Sequence, residues 1–80
     1  STDGVRLVVG DTEDFHASVV LLSRSFGNEE GKYEMLPVFD GKEYPIMGYL
    51  ELKDAMSIAQ AIRERDFEKF KERTQNQPAQ

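Results

Sequence analysis

The chain has 80 residues and no Cys, and its ten Lys and Arg against fifteen Asp and Glu give a formal net charge of -5 at pH 7. A chain of this length forms one domain, and its small core argues against a deep active-site cleft. The net negative charge repels nucleic-acid phosphates, and the lack of Cys excludes a disulfide framework and a thiolate metal site. We therefore expect an acidic domain with a basic protein partner.

The apolar runs and the start of the chain bear on its location. No apolar run approaches the roughly 18 residues of a membrane span. The segment "STDGVRLVVGD" lacks the basic stretch and the long apolar stretch of a signal peptide. We expect a cytoplasmic protein with no membrane partner, and a small core without Cys fits a reducing compartment or an oligomer.

Apolar runs bounded by turn residues predict strands along the first half of the chain. "VRLVV" (residues 5–9) predicts a first strand that stops at Gly10. "HASVVLLSR" (residues 16–24) is apolar on both faces at its middle, which is typical of a central strand. After the loop signal "FGNEEG", "KYEMLPVF" (residues 32–39) predicts a third strand, and Pro37 places it at an edge or a bulge.

The dipeptide Asp40-Gly41 is the strongest local signal in the chain. A two-residue type I′ turn requires positive φ at both positions, which Asp-Gly accepts, so the third strand is predicted to form a hairpin with a fourth. The fourth strand covers residues 42–50. Pro45 and Gly48 interrupt it, as expected of an irregular or edge strand.

Residues 52–62 predict a helix, because their apolar members recur at helical spacing. At about 100° per residue, five of them lie within about 120° of one another: Leu52, Ala55, Met56, Ala59 and Ile62. Asp54 suits the positive end of the helix dipole.

The apolar stripe falters after Ile62, because Arg63 and Asp66 enter its sector. One interpretation is a single helix that continues to Arg73, and we favour it because no Gly or Pro interrupts the segment. The other is a break near Asp66, which then caps a second helix that carries Phe67 and Phe70.

Together these elements predict an α+β domain, in which a four-stranded antiparallel meander is followed by a C-terminal helix packed on one face (ββββα). We assign residues 1–73 to this single domain. Residues 74–80, "TQNQPAQ", offer almost nothing to bury and are predicted to be a disordered tail. Leu36 and Val38 point away from the helix side, so the uncovered face of the sheet should carry an apolar patch that a partner or a second copy buries.

His16 follows three acids, Asp11, Glu13 and Asp14, which suggests catalysis or metal binding. The acids fall in a predicted turn, where Asp is expected for turn geometry alone, so we interpret the segment as a solvated loop. We identify no nucleophile with a matching base. We predict no catalytic residue, no cofactor, no metal site and hence no enzyme.

Aromatic residues supply the candidate binding groups. Phe67 and Phe70 form either an exposed anchor for a partner or the closing part of the core. Four residues on the predicted strands form either a stacking platform for single-stranded nucleic acid or part of the core: Tyr33, Phe39, Tyr44 and Tyr49.

The order of four strands and a helix, with "YLELKDAMSIAQAI" as the junction, resembles the PC4-like transcription coactivator family. The resemblance rests on topology over about half the chain. It implies single-stranded DNA binding and a dimer formed through the helix. The basic strand residues of that family are largely missing here, so we transfer no functional residue from it.

We predict a non-enzymatic, small acidic protein-interaction module of the inhibitor, immunity or regulatory-subunit type. It would act through an exposed apolar and acidic surface as a homodimer, with a basic protein partner. The alternative is a sheet-based single-stranded nucleic-acid-binding protein of the PC4-like kind. The predicted partner-binding residues are Phe67, Phe70, Tyr33, Tyr49, Leu36 and Val38.

Overall fold

The computed structural model describes residues 6–24 and 31–75. This part of the chain forms one antiparallel sheet in the order β1-β2-β3-β4, with β5 also paired to β3, and then two helices. The α+β class and the four-strand meander are confirmed, since β4 and β5 together take the place of the predicted fourth strand. The elements are β1 (Arg6–Thr12), β2 (Phe15–Arg24), β3 (Gly31–Phe39), β4 (Lys42–Glu43), β5 (Met47–Leu50), α1 (Leu52–Glu64) and α2 (Phe67–Gln75).

The first strand is longer than predicted, because it does not stop at Gly10. β1 continues through a bulge between Gly10 and Thr12 before the turn at Glu13 and Asp14. Gly10 has a φ of 114°, and a Cβ there would lie 2.6 Å from the Cα of His16. Glycine is therefore required for this bulge and lets the strand change register without ending.

The third strand is central, so of the two positions predicted for Pro37, an edge or a bulge, the edge is wrong. β3 pairs with β2 on one side and with β4 and β5 on the other. The Pro37 carbonyl accepts a hydrogen bond from the Tyr44 N–H at 2.9 Å. Because the N and C=O of a strand residue point to the same side, the missing N–H of Pro37 faces the interruption between β4 and β5. No ladder bond to β2 is lost.

The turn between β3 and β4 and the irregular fourth strand are confirmed. Asp40 and Gly41 have φ values of 55° and 78°, as a type I′ turn requires. The strand is interrupted at residues 44–46, which include Pro45. Its register against β3 shifts again within β5, where Tyr49 has a φ of 60°.

The C-terminal segment is two helices, so the favoured single helix is wrong and the alternative break near Asp66 is correct. α1 ends at Glu64, and the next residue, Arg65, caps it in the left-handed conformation with a φ of 54°. The Arg65 N–H donates to the Ile62 carbonyl and the Asp66 N–H to the Ala61 carbonyl, which is a Schellman motif. The Asp66 carboxylate then accepts the Lys69 N–H at 3.0 Å and caps α2.

The core lies between one face of the sheet and the two helices. The buried side of α1 is formed by Ala55, Ile58, Ala61 and Ile62, so it is turned away from the predicted stripe. Leu52 and Met56, which the stripe included, are exposed. The sheet contributes Ala17, Val19, Met35, Phe39, Met47 and Leu50, and α2 contributes Phe70.

Two predicted segments lie at the limits of the described chain. α2 runs to Gln75, and the Thr74 hydroxyl donates to the Phe70 carbonyl at 2.9 Å, so the first two residues of the predicted tail are helical. The remaining tail residues 76–80 and most of the predicted loop "FGNEEG" lie outside the described residues.

Candidate protein interaction surfaces

Five aromatic rings meet where α2 begins. Phe39 stacks on Phe70 with ring centroids 4.9 Å apart, and Phe67 lies 5.4 Å from Phe39. Phe15 and Tyr44 make edge contacts with Phe39 and Phe70 at 5.1 and 5.0 Å. Phe70 is 1% exposed and belongs to the core, whereas Phe67 is 42% exposed. Of the predicted pair, Phe67 alone presents an accessible ring, held by rigid neighbours.

Carboxylates flank two rings of this aromatic cluster in the sequence. Phe15 directly follows Asp14, and Phe39, which contacts Phe67, directly precedes Asp40. Both Asp residues are exposed turn residues. The Gly41 N–H donates to the Asp14 carbonyl at 2.9 Å, which ties the two turns together. We define the hairpin end as the two turns, residues 13–14 and 40–41, together with Phe67.

Three carboxylates at the hairpin end are exposed: Glu13, Asp14 and Asp40. None of them pairs with a cation in the described part of the chain. Two nearby cations have acidic partners, since Arg65 pairs with Asp11 at 3.4 Å and Lys71 with Glu68 at 3.8 Å. Lys71 Nζ also lies 5.6 Å from the centroid of the Phe67 ring. Lys42, which follows Gly41, lies over the Tyr44 ring and forms no ion pair in the described part of the chain. Three unpaired carboxylates against this one Lys still leave an excess of negative charge. The local field is therefore negative beside an accessible aromatic ring.

A separate ion pair joins the two helices. Lys69 Nζ donates to Glu64 Oε1 at 2.8 Å, and Gln60 Nε2 donates to Glu64 Oε2 at 3.1 Å. The hydrogen bond from Lys69 lowers the pKa of Glu64 below its ordinary value of 4.5. Arg73 reinforces the junction by donating to the Ser57 carbonyl. These contacts fix the direction of α2 and hence the position of Phe67.

The other predicted partner-binding residues are not brought to the hairpin end. Tyr33 is half-buried against the core. Tyr49 is exposed on β5, which pairs with the end of β3 that lies away from the hairpin end. Leu36 and Val38 do lie on the sheet face opposite the core, since they pair with Ser18 and His16. Val38 is buried and Leu36 half-buried, so this face carries apolar residues but offers little of them to a partner.

The four strand aromatics do not form a stacking platform. Phe39 is buried, Tyr44 packs edge-on against Phe70, and Tyr33 is packed against the core. Tyr49 is the one exposed member. Stacking of successive bases requires several accessible rings in a row, which these positions do not provide.

One apolar surface was missed by the sequence reasoning. Exposed apolar residues lie along β1 and on the adjacent side of α1, where Val9 and Met56 line a shared groove. Val8 is 65% exposed and Met56 62% exposed. We define the β1–α1 edge as Leu7, Val8, Val9, Leu52 and Met56. The sequence does contain a signal for this surface. When Ile58 and Ala61 are counted, the apolar side chains of α1 span roughly 220° of the helix circumference.

His16 makes a local contact with the turn that precedes it. Its ring Nδ1 lies 2.9 Å from the Glu13 carbonyl oxygen, a local contact across the turn. Within residues 6–24 and 31–75, no group of three His, Cys, Asp or Glu side chains is placed to hold a metal ion.

No family model, curated protein or solved structure matches the chain. No helix in the described part of the chain is both long and apolar enough to cross a membrane.

Proposed function

We propose that this chain is a non-catalytic protein-interaction module, of the inhibitor, immunity or regulatory-subunit type, that binds a basic protein partner at the hairpin end. The observation that carries the proposal is the exposed ring of Phe67, seated on the buried rings of Phe39 and Phe70 near three exposed carboxylates that form no ion pair within residues 6–24 and 31–75. An apolar anchor with charges at its margin is the usual composition of an interface hot spot.

The contacts of Phe67 favour binding because the ring is already held in place before a partner binds. Phe39 and Phe70 hold one side of the ring, and the capped start of α2 fixes its backbone. A preorganised anchor avoids part of the entropy cost of association. The partner therefore needs a pocket for one aromatic ring.

The carboxylates set the chemistry of the partner. Glu13, Asp14 and Asp40 attract Lys and Arg side chains and accelerate encounter at low salt. Exposed charges act over about 8 Å at physiological ionic strength, so this attraction weakens as salt is added. The same field repels phosphate groups, and no described feature favours the single-stranded nucleic-acid alternative.

A random peptide library displayed on phage, selected on the immobilised chain, tests the proposal. The expected result is a set of basic peptides whose binding weakens with salt. Phe67→Ala should abolish their binding, whereas Ile46→Ala should not. Ile46 is 40% exposed but lies in the interruption before β5, and β5 pairs with β3 at residues 33–35 rather than at its Phe39 end. Asp40→Asn, which keeps the turn geometry, should reduce binding.

Two outcomes of the selection would count against the proposal. One is the absence of a basic consensus among the selected peptides. The other is equal binding to the parent chain and to Phe67→Ala, with both proteins shown to be folded. Selected peptides that bind Ile46→Ala poorly would instead place the site at the sheet edge formed by β4 and β5.

A further inference from the structure

The two edges of the sheet differ in how they are protected. The β4 and β5 edge is broken into pieces of two and four residues, contains Pro45, and is bulged at Tyr49. These are the devices that prevent strand addition. β1 is a seven-residue strand, and its run from Arg6 to Val9 precedes any bulge. In the part of the chain that the structure describes, the outer edge of β1 pairs with no strand.

The helix layer is also incomplete beside β1. The sheet covers only part of the apolar arc of α1, which leaves Leu52 and Met56 exposed. These residues lie on the side of α1 that faces β1, since Met56 and Val9 line one groove. Leu7 pairs with Val19, so it lies on the helix side of the sheet and extends the same surface.

We propose that a second copy of the chain covers this surface, with β1 pairing antiparallel to β1 of the second copy about a two-fold axis at Val8. This register places Leu7 of each copy opposite Val9 of the other on the helix side, and Val8 opposite Val8 on the other face. Opposed residues then lie on the same face, as an antiparallel pair requires. A register centred on Val9 would place Leu7 opposite Asp11 and cross the bulge.

The charges are compatible with this symmetry. A two-fold axis perpendicular to the sheet also makes the two copies of α1 antiparallel. The ion pairs at both ends of α1 leave little net charge there, because Glu51 pairs with Lys32 and Lys53, Glu64 pairs with Lys69, and Arg65 pairs with Asp11. The antiparallel helices therefore meet without strong charge repulsion. The two Arg6 residues lie four positions apart along the paired strands, so their like charges are separated by about 13 Å.

The size of the surface sets the expected affinity. A standard stable interface uses about 20 to 30 residues per partner. β1 and the uncovered side of α1 provide fewer, so we expect a dimer at micromolar rather than nanomolar concentration. The hairpin end is formed by the turns and α2 and does not take part, so either proposal can fail without the other.

Cysteine scanning tests the pairing, because the chain contains no Cys. Val8→Cys should form a disulfide between copies, since paired Cα atoms at the axis lie about 4.5 to 5.5 Å apart, within disulfide range. Arg6→Cys, on the same face but off the axis, should not. Val8→Cys should oxidise about tenfold faster or more than Ile46→Cys, because pairing raises the local thiol concentration.

Sedimentation equilibrium of the parent chain provides the second readout. We expect about 18 kDa, twice the 9.1 kDa of the chain, at micromolar concentration. Met56→Glu should reduce this to the monomer mass, whereas Ile46→Glu should leave it unchanged. A monomeric parent chain, or disulfide formation at Val8→Cys no faster than at Ile46→Cys, would overturn the proposal.

Discussion

The guanidinium group of Arg65 lies over the ring of Phe15, with its central carbon 4.4 Å from the ring centroid. Arg65 is the left-handed residue that ends α1, and Phe15 begins β2 at the hairpin end. The same guanidinium pairs with Asp11. The side chain of Arg65 therefore links the break between the helices to the first hairpin. The left-handed backbone of the same residue sets the direction of α2 and hence the position of Phe67.

Arg65→Ala should destabilise the fold more than Arg65→Gly. Both variants lose the contacts with Phe15 and Asp11, which are worth about 0.5 to 1 kcal/mol each at exposed sites. Ala retains the left-handed strain of about 1 to 2 kcal/mol, whereas Gly removes it. Urea unfolding of the two variants measures the difference. Equal stabilities, or a more stable Ala variant, would contradict this role for the backbone of Arg65.

Phe70→Ala should cost about 3 to 5 kcal/mol, because it removes a fully buried ring. A chain of 80 residues has roughly 4 to 12 kcal/mol of total stability, so this variant should be close to unfolding. Phe67→Ala should cost only about 1 to 2 kcal/mol, since the ring is partly exposed. Denaturant titration followed by circular dichroism tests the order, and a reversal would place Phe67 rather than Phe70 in the core.

Asp66→Ala should destabilise the fold by about 1 kcal/mol through loss of the cap on the Lys69 N–H. Asp66→Asn retains an oxygen that accepts this hydrogen bond and is the matched control. It should lose at most a few tenths of a kcal/mol. Amide hydrogen exchange at Lys69 provides a local readout: its protection should fall in the Ala variant. Unchanged protection would show that the cap does not stabilise α2.

Lys69→Met should raise the pKa of Glu64 towards 4.5, because the hydrogen bond from the ammonium group is the main cause of its lowering. A carboxyl group with a lowered pKa in the folded state contributes stability above its unfolded pKa, and loses it as the pH falls through the folded value. The difference in stability between parent and variant should therefore shrink below about pH 4.5.

Carboxyl NMR titration of Glu64 measures this pKa directly. Lys71→Met is the control, since Lys71 pairs with Glu68. An identical Glu64 titration in the parent and in Lys69→Met would show that the ion pair does not form in solution.

The strands could be predicted because their signals are local. The Asp40-Gly41 turn, the doubly apolar second strand and the interruption at Pro45 depend on neighbouring residues alone. The position of Pro37 depends on a strand that comes later in the chain, since its missing N–H faces the gap between β4 and β5. No local pattern could supply that information.

The helix break and the apolar surface show two further limits. Gly commonly supplies the left-handed end of a helix, but here Arg65 takes that conformation and recovers part of its cost through Phe15 and Asp11. The exposed side of α1 was missed because periodicity gives the width of an apolar arc but not which part the sheet covers. For the same reason Phe67 and Phe70 could not be separated before their burial was known.

Backbone amide NMR mapping can locate the partner-binding site on the folded chain. A selected basic peptide is added to the labelled chain, and the shifts of every assigned amide are followed at low and high salt. We expect shifts concentrated at Glu13, Asp14, Asp40, Gly41 and Phe67 that weaken as salt is added. Shifts centred on the β1–α1 edge, or scattered over the sheet, would contradict the assignment of the hairpin end as the partner-binding site.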